Sequence, residues 1–492
     1  MGRNLIVYVL TVVIFGSLVW FVLSQGATLE NQQNIRVTMA EVSQETTSGQ
    51  QSGETTRDSA LPVFFSVFSK NTAHPFSRLL LQIAVIIVVS RLLSFLVAKI
   101  GQPLVIGEII AGIILGPSLL GLFWPEISSF LFPRDSLANL EVLSQLGLIL
   151  FMFIIGLELD VHLLKHKAHS ALVISQSSII FPFLGGVSLA YFLYKSLAPP
   201  HVPFLAFSLF MGIAMSITAF PVLARIIQER GMTQSSLGVL AITSAAAGDV
   251  TAWCILAIVI AVVQAGTITS ALFTILLSLL YIFIMLTIVR PLLQRLAVRQ
   301  AGAENLSRVF AVTAFAVLFL SAYATEVIGI HALFGAFLAG VVMPAQVDFR
   351  EMLAAKIEDV SLVILLPLFF ASTGLKTHLG LVNDSSAWLI CGLIILVAVA
   401  GKVGGSLVTA KFTGQSWSES LALGALMNTR GLMELIILSI GYDLGVLSPT
   451  IFTMMVIMAL VTTCMTSPAL SAIQYFKQKR ELISAHAIPE RL

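Results

Sequence analysis

What this chain has least of is charge. Asp, Glu, Lys and Arg make up 11% of its 492 residues, less than half the share of a soluble domain, which excludes a conventional water-soluble fold. The net charge is only +2 and no basic run is interleaved with aromatics, so there is no electrostatic footprint for nucleic acid. Cysteine is scarce too. Cys254, Cys391 and Cys464 each sit inside an apolar stretch without CxxC or Cys/His spacing, and are expected to be small packing residues, neither disulfide partners nor metal ligands. The chain has no HExxH, no GxSxG and no paired intramembrane aspartates of protease type. It is therefore not expected to be an enzyme, and nothing in it calls for a cofactor.

What is present is apolar. Hydrophobic residues make up 57% of the chain and the mean hydropathy is +0.97, which predicts an all-α polytopic membrane protein. Stretches of spanning length fall near 5–24, 79–98, 104–122, 140–158, 171–194, 203–227, 237–264, 271–289, 309–325, 328–344, 359–375, 386–408, 419–440 and 449–472. Residues 1–24 read as a retained membrane anchor, with signal-peptide cleavage near Ser24–Ala27 as the alternative. Residues 25–78, rich in Gln, Ser, Thr, Glu and Gly over 30–58, read as a disordered extracytoplasmic tether. The transmembrane domain is expected over 79–475, and 476–492 as a short cytoplasmic tail.

Lys and Arg set the expected orientation. With the tether outside, the cytoplasmic connections hold Lys99, Lys165, Lys167, Arg225, Arg230, Arg290, Arg295, Arg299, Arg308, Arg350, Lys356 and Lys411, and the cytoplasmic tail holds Lys477, Lys479 and Arg480. The outer connections hold only Arg134, Lys195 and Lys376. That asymmetry predicts a cytoplasmic C-terminus. The expected location is a plasma membrane, most simply a bacterial inner membrane.

One charge lies where hydrocarbon should be. Asp249 stands about twelve residues into the stretch 237–264, roughly 18 Å deep in a core about 30 Å thick. An ionised Asp at such depth costs about 3 kcal/mol on insertion scales. Its side chain is too short to reach water by snorkelling, so a function that uses its charge is expected.

Two spans look interrupted. Residues 215–221 read MSITAFP, and Pro221 cannot donate to a helical ladder. Residues 428–434 read NTRGLME, a glycine among Asn428, Thr429, Arg430 and Glu434. Broken helices leave backbone groups unpaired and are tolerated in a bilayer only where they line a cavity; a matched pair in two halves of a chain points to a transporter's ion site. Blander readings stand beside these. Pro221 could be an ordinary kink and Thr218 could bond back within its helix. Arg430 and Glu434, spaced i, i+4, could neutralise each other, and Lys402 could snorkel to the nearer surface.

These residues resemble a known family. QPLVIGEIIAGIILGPSLLG at 102–121 and LGLILFMFIIGLELD at 146–160 are similar to two signatures of the monovalent cation:proton antiporter-2 family, which includes Kef-type potassium systems and plant cation/proton exchangers. HALFGAFLAG at 331–340, FFASTGL at 369–375 and NTRGLMEL at 428–435 are similar to further family patterns. The resemblance runs over roughly 79–475. It implies a thirteen-helix antiporter fold with inverted repeats, two crossing broken helices and a homodimer, with the N-terminal anchor as an addition. By the same resemblance Asp249 is the ion-binding carboxylate and Lys402 a lysine that pairs with its region. Gly248 departs from relatives that carry a second polar residue before the aspartate, which favours one proton per cation.

The mechanism this implies is a secondary active antiporter. Deprotonated Asp249 would take Na⁺ or K⁺ with the help of the Thr218 oxygen and nearby carbonyls, and protonation would expel the cation. Lys402, Arg430, Glu434 and Asn428 would set core charge and gating. Glu158 and Asp160, beside His162 and His166, are either a pH-responsive access funnel or a solvated charged face. The competing functional readings are a cation channel or uniporter, or a transporter-like sensor.

Overall fold

The computed structural model of the chain describes residues 74–158, 168–233, 235–265, 268–300, 306–344 and 347–486, together with positions 14, 16–18, 20 and 21. Among the described residues there is helix, turn and bend but no strand. The expected anchor and tether lie outside them, apart from those six helical positions and the stretch from 74 to 78. That last stretch is not tether: Pro75 opens a helix whose cap, His74, accepts a hydrogen bond from the Phe76 N–H.

Leaving aside Leu120–Phe123, Pro125–Leu131 and Arg290–Gln300, the helices run α1 (Pro75–Lys99), α2 (Leu104–Leu115), α3 (Arg134–Glu158), α4 (Ala168–Leu197), α5 (Phe204–Ser216), α6 (Phe220–Glu229), α7 (Ser236–Ala265) and α8 (Ile268–Ile284). They continue as α9 (Leu306–Ile328), α10 (Ala332–Val341), α11 (Val347–Val360), α12 (Leu366–Leu375), α13 (Ser385–Phe412), α14 (Trp417–Met427), α15 (Leu432–Asp443) and α16 (Pro449–His486). Starts are fixed locally. Asp384 accepts from the Ala387 N–H at 2.9 Å to begin α13, and a Ser416/Glu419 capping box begins α14.

Among the described residues ten helices are long and apolar enough to cross a bilayer, or eleven when the bent pair α14–α15 counts as one span. The expected span 328–344 is only the ten-residue α10, because Gly329 and His331 take φ of +90° and +76° and turn the chain there. The expected span 359–375 is the apolar end of a longer helix: α11, with charges from Asp348 to Asp359, runs through a π-turn at Ser361–Leu365 into α12. The expected tail is likewise helical at first. α16 continues through 38 residues, about 57 Å at 1.5 Å per residue, since the lysine-rich segment 477–480 keeps good helix formers in register.

Packing sorts the helices into two bodies. α4, α5, α6, α7, α13, α14, α15 and α16 pack on one another; α1, α2, α3, α9, α10, α11 and α12 form a second group, and α8 follows directly from α7. The second body is joined by backbone contact. A Cβ on Gly156 of α3 would stand 2.9 Å from the Gly340 Cα of α10, and one on Gly112 of α2 would stand 2.7 Å from the Ala371 Cα of α12. Bare glycines let helices approach this closely where lipid offers no hydrophobic drive to associate. The first body uses the same device at one decisive point: Gly401 lets α13 lie against Pro182, in the middle of α4.

A candidate ion site at the crossing of two broken helices

The sequence breaks both expected helices where the structure does. α5 stops at Ser216 and α6 opens at Phe220, with Pro221 in its first turn, so the proline starts a helix and does not kink one. α14 stops at Met427 and α15 opens after Gly431, whose φ of +152° suits a residue without Cβ. The breaks cross in contact: the Ala219 N–H donates to the Thr429 carbonyl at 2.9 Å, and the Thr218 hydroxyl donates to the Met427 carbonyl at 3.0 Å. Thr218 therefore bonds across the crossing and not back within its own helix.

A helix C-terminus exposes unpaired carbonyls and the negative end of its dipole. At α5 these carbonyls are met by two cations. Arg430 donates to Ala214 O at 3.1 Å and to Met215 O at 2.6 Å, and Lys402 donates to Ser216 O. Arg430 also pairs with Glu434 at 3.1 Å, both side chains fully buried, as their spacing predicts. Thr463 of α16 closes the second break by bonding both the N–H and the carbonyl of Arg430, at 3.2 and 2.7 Å.

Lys402 does not snorkel: it is wholly buried. Its second acceptor is Ser178 O at 3.0 Å, and the sequence explains why that carbonyl is available. In α4 the i+4 partner of Ser178 is Pro182, which has no N–H to give. Gly401 brings α13 close enough for the next residue to reach it. The same logic recurs in α16, where Pro468 leaves Cys464 O free and Gln102 donates to it at 3.4 Å.

Asp249 lies thirteen residues into α7, about 20 Å along the helix, and is 5% exposed. Lys402 is the cation that faces it, but among the described residues the two form no ion pair within 4.0 Å; the ammonium bonds carbonyls instead. Asp249 Oδ2 has no hydrogen-bond partner. Lys402 thus acts on the region of Asp249 electrostatically, with its own hydrogen bonds spent on the carbonyls of Ser178 and Ser216. Asn428 Oδ1 and Glu434 Oε1 are also buried without partners. The four charges balance, two acidic and two basic, yet only Asp249 has no donor assigned to it.

The two faces of the molecule differ. At the end where α3 stops, a cavity of about 500 Å³ is lined by Glu158, Phe220, Pro221, Ala224, Arg225 and Gln228, between the second body and α6 of the first. This gives Glu158 a place at an opening that reaches the first break; Asp160, His162 and His166 lie outside the described residues. At the opposite end the bodies are tied. Lys376, capping α12, reaches Glu141 of α3 at 2.7 Å and Asp443 of α15 at 2.6 Å, and the Thr373 and Ser439 hydroxyls meet at 3.5 Å. Burial disfavours the Lys376 charge, but the two carboxylates outweigh it and hold the ammonium above its ordinary value.

Sequence reasoning missed the Lys376 tie, Thr463 and the role of Pro182. The first had a signal: Lys376 is one of three basic residues that break the charge asymmetry between the faces.

A multi-pass helical membrane protein with two crossing broken helices and a buried acid beside them has the architecture of an ion exchanger. Residues 55–473 match the family model described as sodium/hydrogen exchanger, transmembrane. The chain belongs to that family. It is 46% identical over 392 residues to the Na⁺/H⁺ antiporter NhaS4 of Synechocystis, covering 79% of this chain and 95% of that one. It is 39% identical to cation/H⁺ antiporter 17 of Arabidopsis thaliana over 84% of this chain, and 33% identical to K⁺/H⁺ antiporter 1 of Saccharomyces cerevisiae over 82%. This chain spans about half the length of those two relatives, 50% and 47%. The fold is that of the sodium proton antiporter MjNhaP1 of Methanocaldococcus jannaschii, with a TM-score of 0.59 at 14% identity, over 84% of this chain and 100% of that one.

Proposed function

We propose that this protein is a secondary active antiporter that exchanges Na⁺ or K⁺ for H⁺ across a membrane, with Asp249 as the site the two ions share. The observation that carries the reading is a buried carboxylate without a hydrogen-bond donor, set beside two helix breaks whose other charges are all engaged. Deprotonated, Asp249 attracts a cation; protonated, it is neutral and releases it. The lone pairs of the Thr218 hydroxyl and carbonyls of the breaks are the natural further ligands, since hard cations take oxygen.

Alternating access follows from the two bodies. The 500 Å³ cavity beside Glu158 fits a state open on that face, with the Lys376 tie closing the other. Movement of the first body against the second would reverse the two. The charge asymmetry of the loops supports an inward-facing cavity and a cytoplasmic C-terminus, and the family resemblance supports a homodimer in the lipid bilayer.

The test is proton flux in proteoliposomes. A pH gradient should collapse only when Na⁺ or K⁺ is added, and not in liposomes carrying Asp249→Asn. Conductive cation flux without proton exchange would favour the channel reading instead.

A further inference from the structure

Several buried serines turn their hydroxyls onto their own backbone: Ser177 donates to Val173 O at 3.0 Å and Ser178 to Ser175 O at 2.8 Å, the cheap solution for a hydroxyl in a helix. Ser175 does not. It is wholly buried on α4, and its Oγ has no hydrogen-bond partner. What stands opposite is Gly248. A Cβ there would lie 3.2 Å from Ser175 Oγ and would meet nothing else within 4 Å, so the missing side chain leaves space on the side of α7 next to Asp249.

Two further contacts fix the place. Gln176, adjacent to Ser175, donates to Thr251 Oγ1 of α7 at 2.9 Å, which sets the register of the two helices. Ser178, about one turn along, gives its carbonyl to Lys402, the cation that faces Asp249. One turn before Gly248, Ser244 is also wholly buried with an unpartnered Oγ. Ser175 Oγ thus faces Gly248 across the α4–α7 seam, and two more buried oxygens without a partner, Ser244 Oγ and Asp249 Oδ2, belong to α7 within one turn of that glycine.

We propose that Ser175 supplies a neutral oxygen to the monovalent cation held at Asp249, or to a water that the cation retains, in the space left by Gly248. This deepens the antiporter reading and rests on it. A hydroxyl accepts a cation while adding no charge, and a buried polar oxygen with room beside it is where a bound ion or water gains most. Ser175 is then a specificity-determining residue, and the α4–α7 seam, as well as the crossing, forms the ion's first surroundings.

The test uses the full chain in proteoliposomes and in detergent, with NaCl and KCl as probes. Ser175→Ala and the near-isosteric Ser175→Cys should each raise the half-saturating cation concentration about fivefold with maximal rate within about twofold, the loss expected of one ligand oxygen. Acid inhibition should set in at higher pH, because the proton then competes against a weaker cation. Ser175→Thr, which keeps the oxygen, should stay near the parent. The cation-induced rise in melting temperature should shrink in the first two variants and persist in the third. If Ser175→Cys behaves as the parent, the residue only fills space and the proposal is overturned; parent-like cation dependence in Ser175→Ala overturns it as well. Absence of exchange by the parent would instead sink the antiporter reading, and the melting shifts would still decide whether Ser175 helps bind a cation.

Discussion

The breaks at 217–219 and 428–431 face each other at one crossing, but they are stabilised by different means. The first has no charged side chain and no glycine of its own; the carbonyls ahead of it are capped by Arg430 and Lys402, both from the second half of the chain. The second has its own arginine, its own Glu434 and a glycine at φ +152°, and borrows no charge: its outside partners are Thr463 of α16 and the Thr218 hydroxyl and Ala219 N–H of the first break. The halves repeat a backbone design while dividing the charge between them. The first contributes the acid that lacks a donor, the second both cations.

The sharpest way to break the comparison is at the acid. Asp249→Asn should abolish cation-dependent proton flux while the purified protein elutes as the parent does, because an amide cannot alternate between proton and cation. Flux near the parent's would refute its role. Next in size is the shared cation. Arg430→Ala leaves Ala214 O, Met215 O and a buried Glu434 without their donor, and should destabilise the protein by about 3–5 kcal/mol, read as a fall in melting temperature or loss of folded protein. A parent-like melt would mean that the first break does not depend on the second half.

A smaller effect is expected at Lys402. Lys402→Gln keeps a donor for Ser178 O but removes the charge facing Asp249, and should slow exchange without ending it. In the parent, exchange should be electroneutral, since Gly248 adds no second titrating group. Sodium-driven proton movement that follows an imposed potassium–valinomycin potential would contradict this, and loss of that response in Lys402→Gln would identify the lysine as a second proton carrier. The smallest effect belongs to the tie at the far end of α15. Asp443→Asn should loosen the outer closure by at most about 1 kcal/mol, as partly exposed pairs do, seen as several-fold faster labelling of a Ser439→Cys probe by an impermeant maleimide. Because Lys376 is held above its ordinary value, its contribution is fully present below the usual lysine range. It is lost only as pH rises through that raised value, so labelling should show no lysine-dependent change near neutral pH.

Much of the site was legible because it violates local rules. A proline, a glycine and charges inside apolar runs announce broken helices, and the spacing of Arg430 and Glu434 announces their pair. A carboxylate in mid-span has few bland explanations. What was not legible depends on approach between distant segments. Lys376 and Glu141 are 235 residues apart in the chain, Lys376 and Asp443 are 67 apart, and each alone reads as a solvated helix end. Lys402 looked able to reach water because its depth in a lone helix permits it; only the packing of Gly401 on Pro182 aims it inward. The stretch 328–344 satisfied a hydropathy criterion that is blind to the two positive φ angles at its start.

The length of α16 has a mechanical consequence. At about 57 Å it is nearly twice the thickness of the hydrocarbon, and its membrane part belongs to the body that carries both breaks, joined to Arg430 through Thr463. A rod held beside the candidate ion site at Thr463 acts as a lever arm: the part beyond that residue is about 35 Å long, and a tilt of 10° would sweep its far end through about 6 Å. Motion of the body that carries both breaks would then be displayed beyond the hydrocarbon as a displacement of the end of this helix.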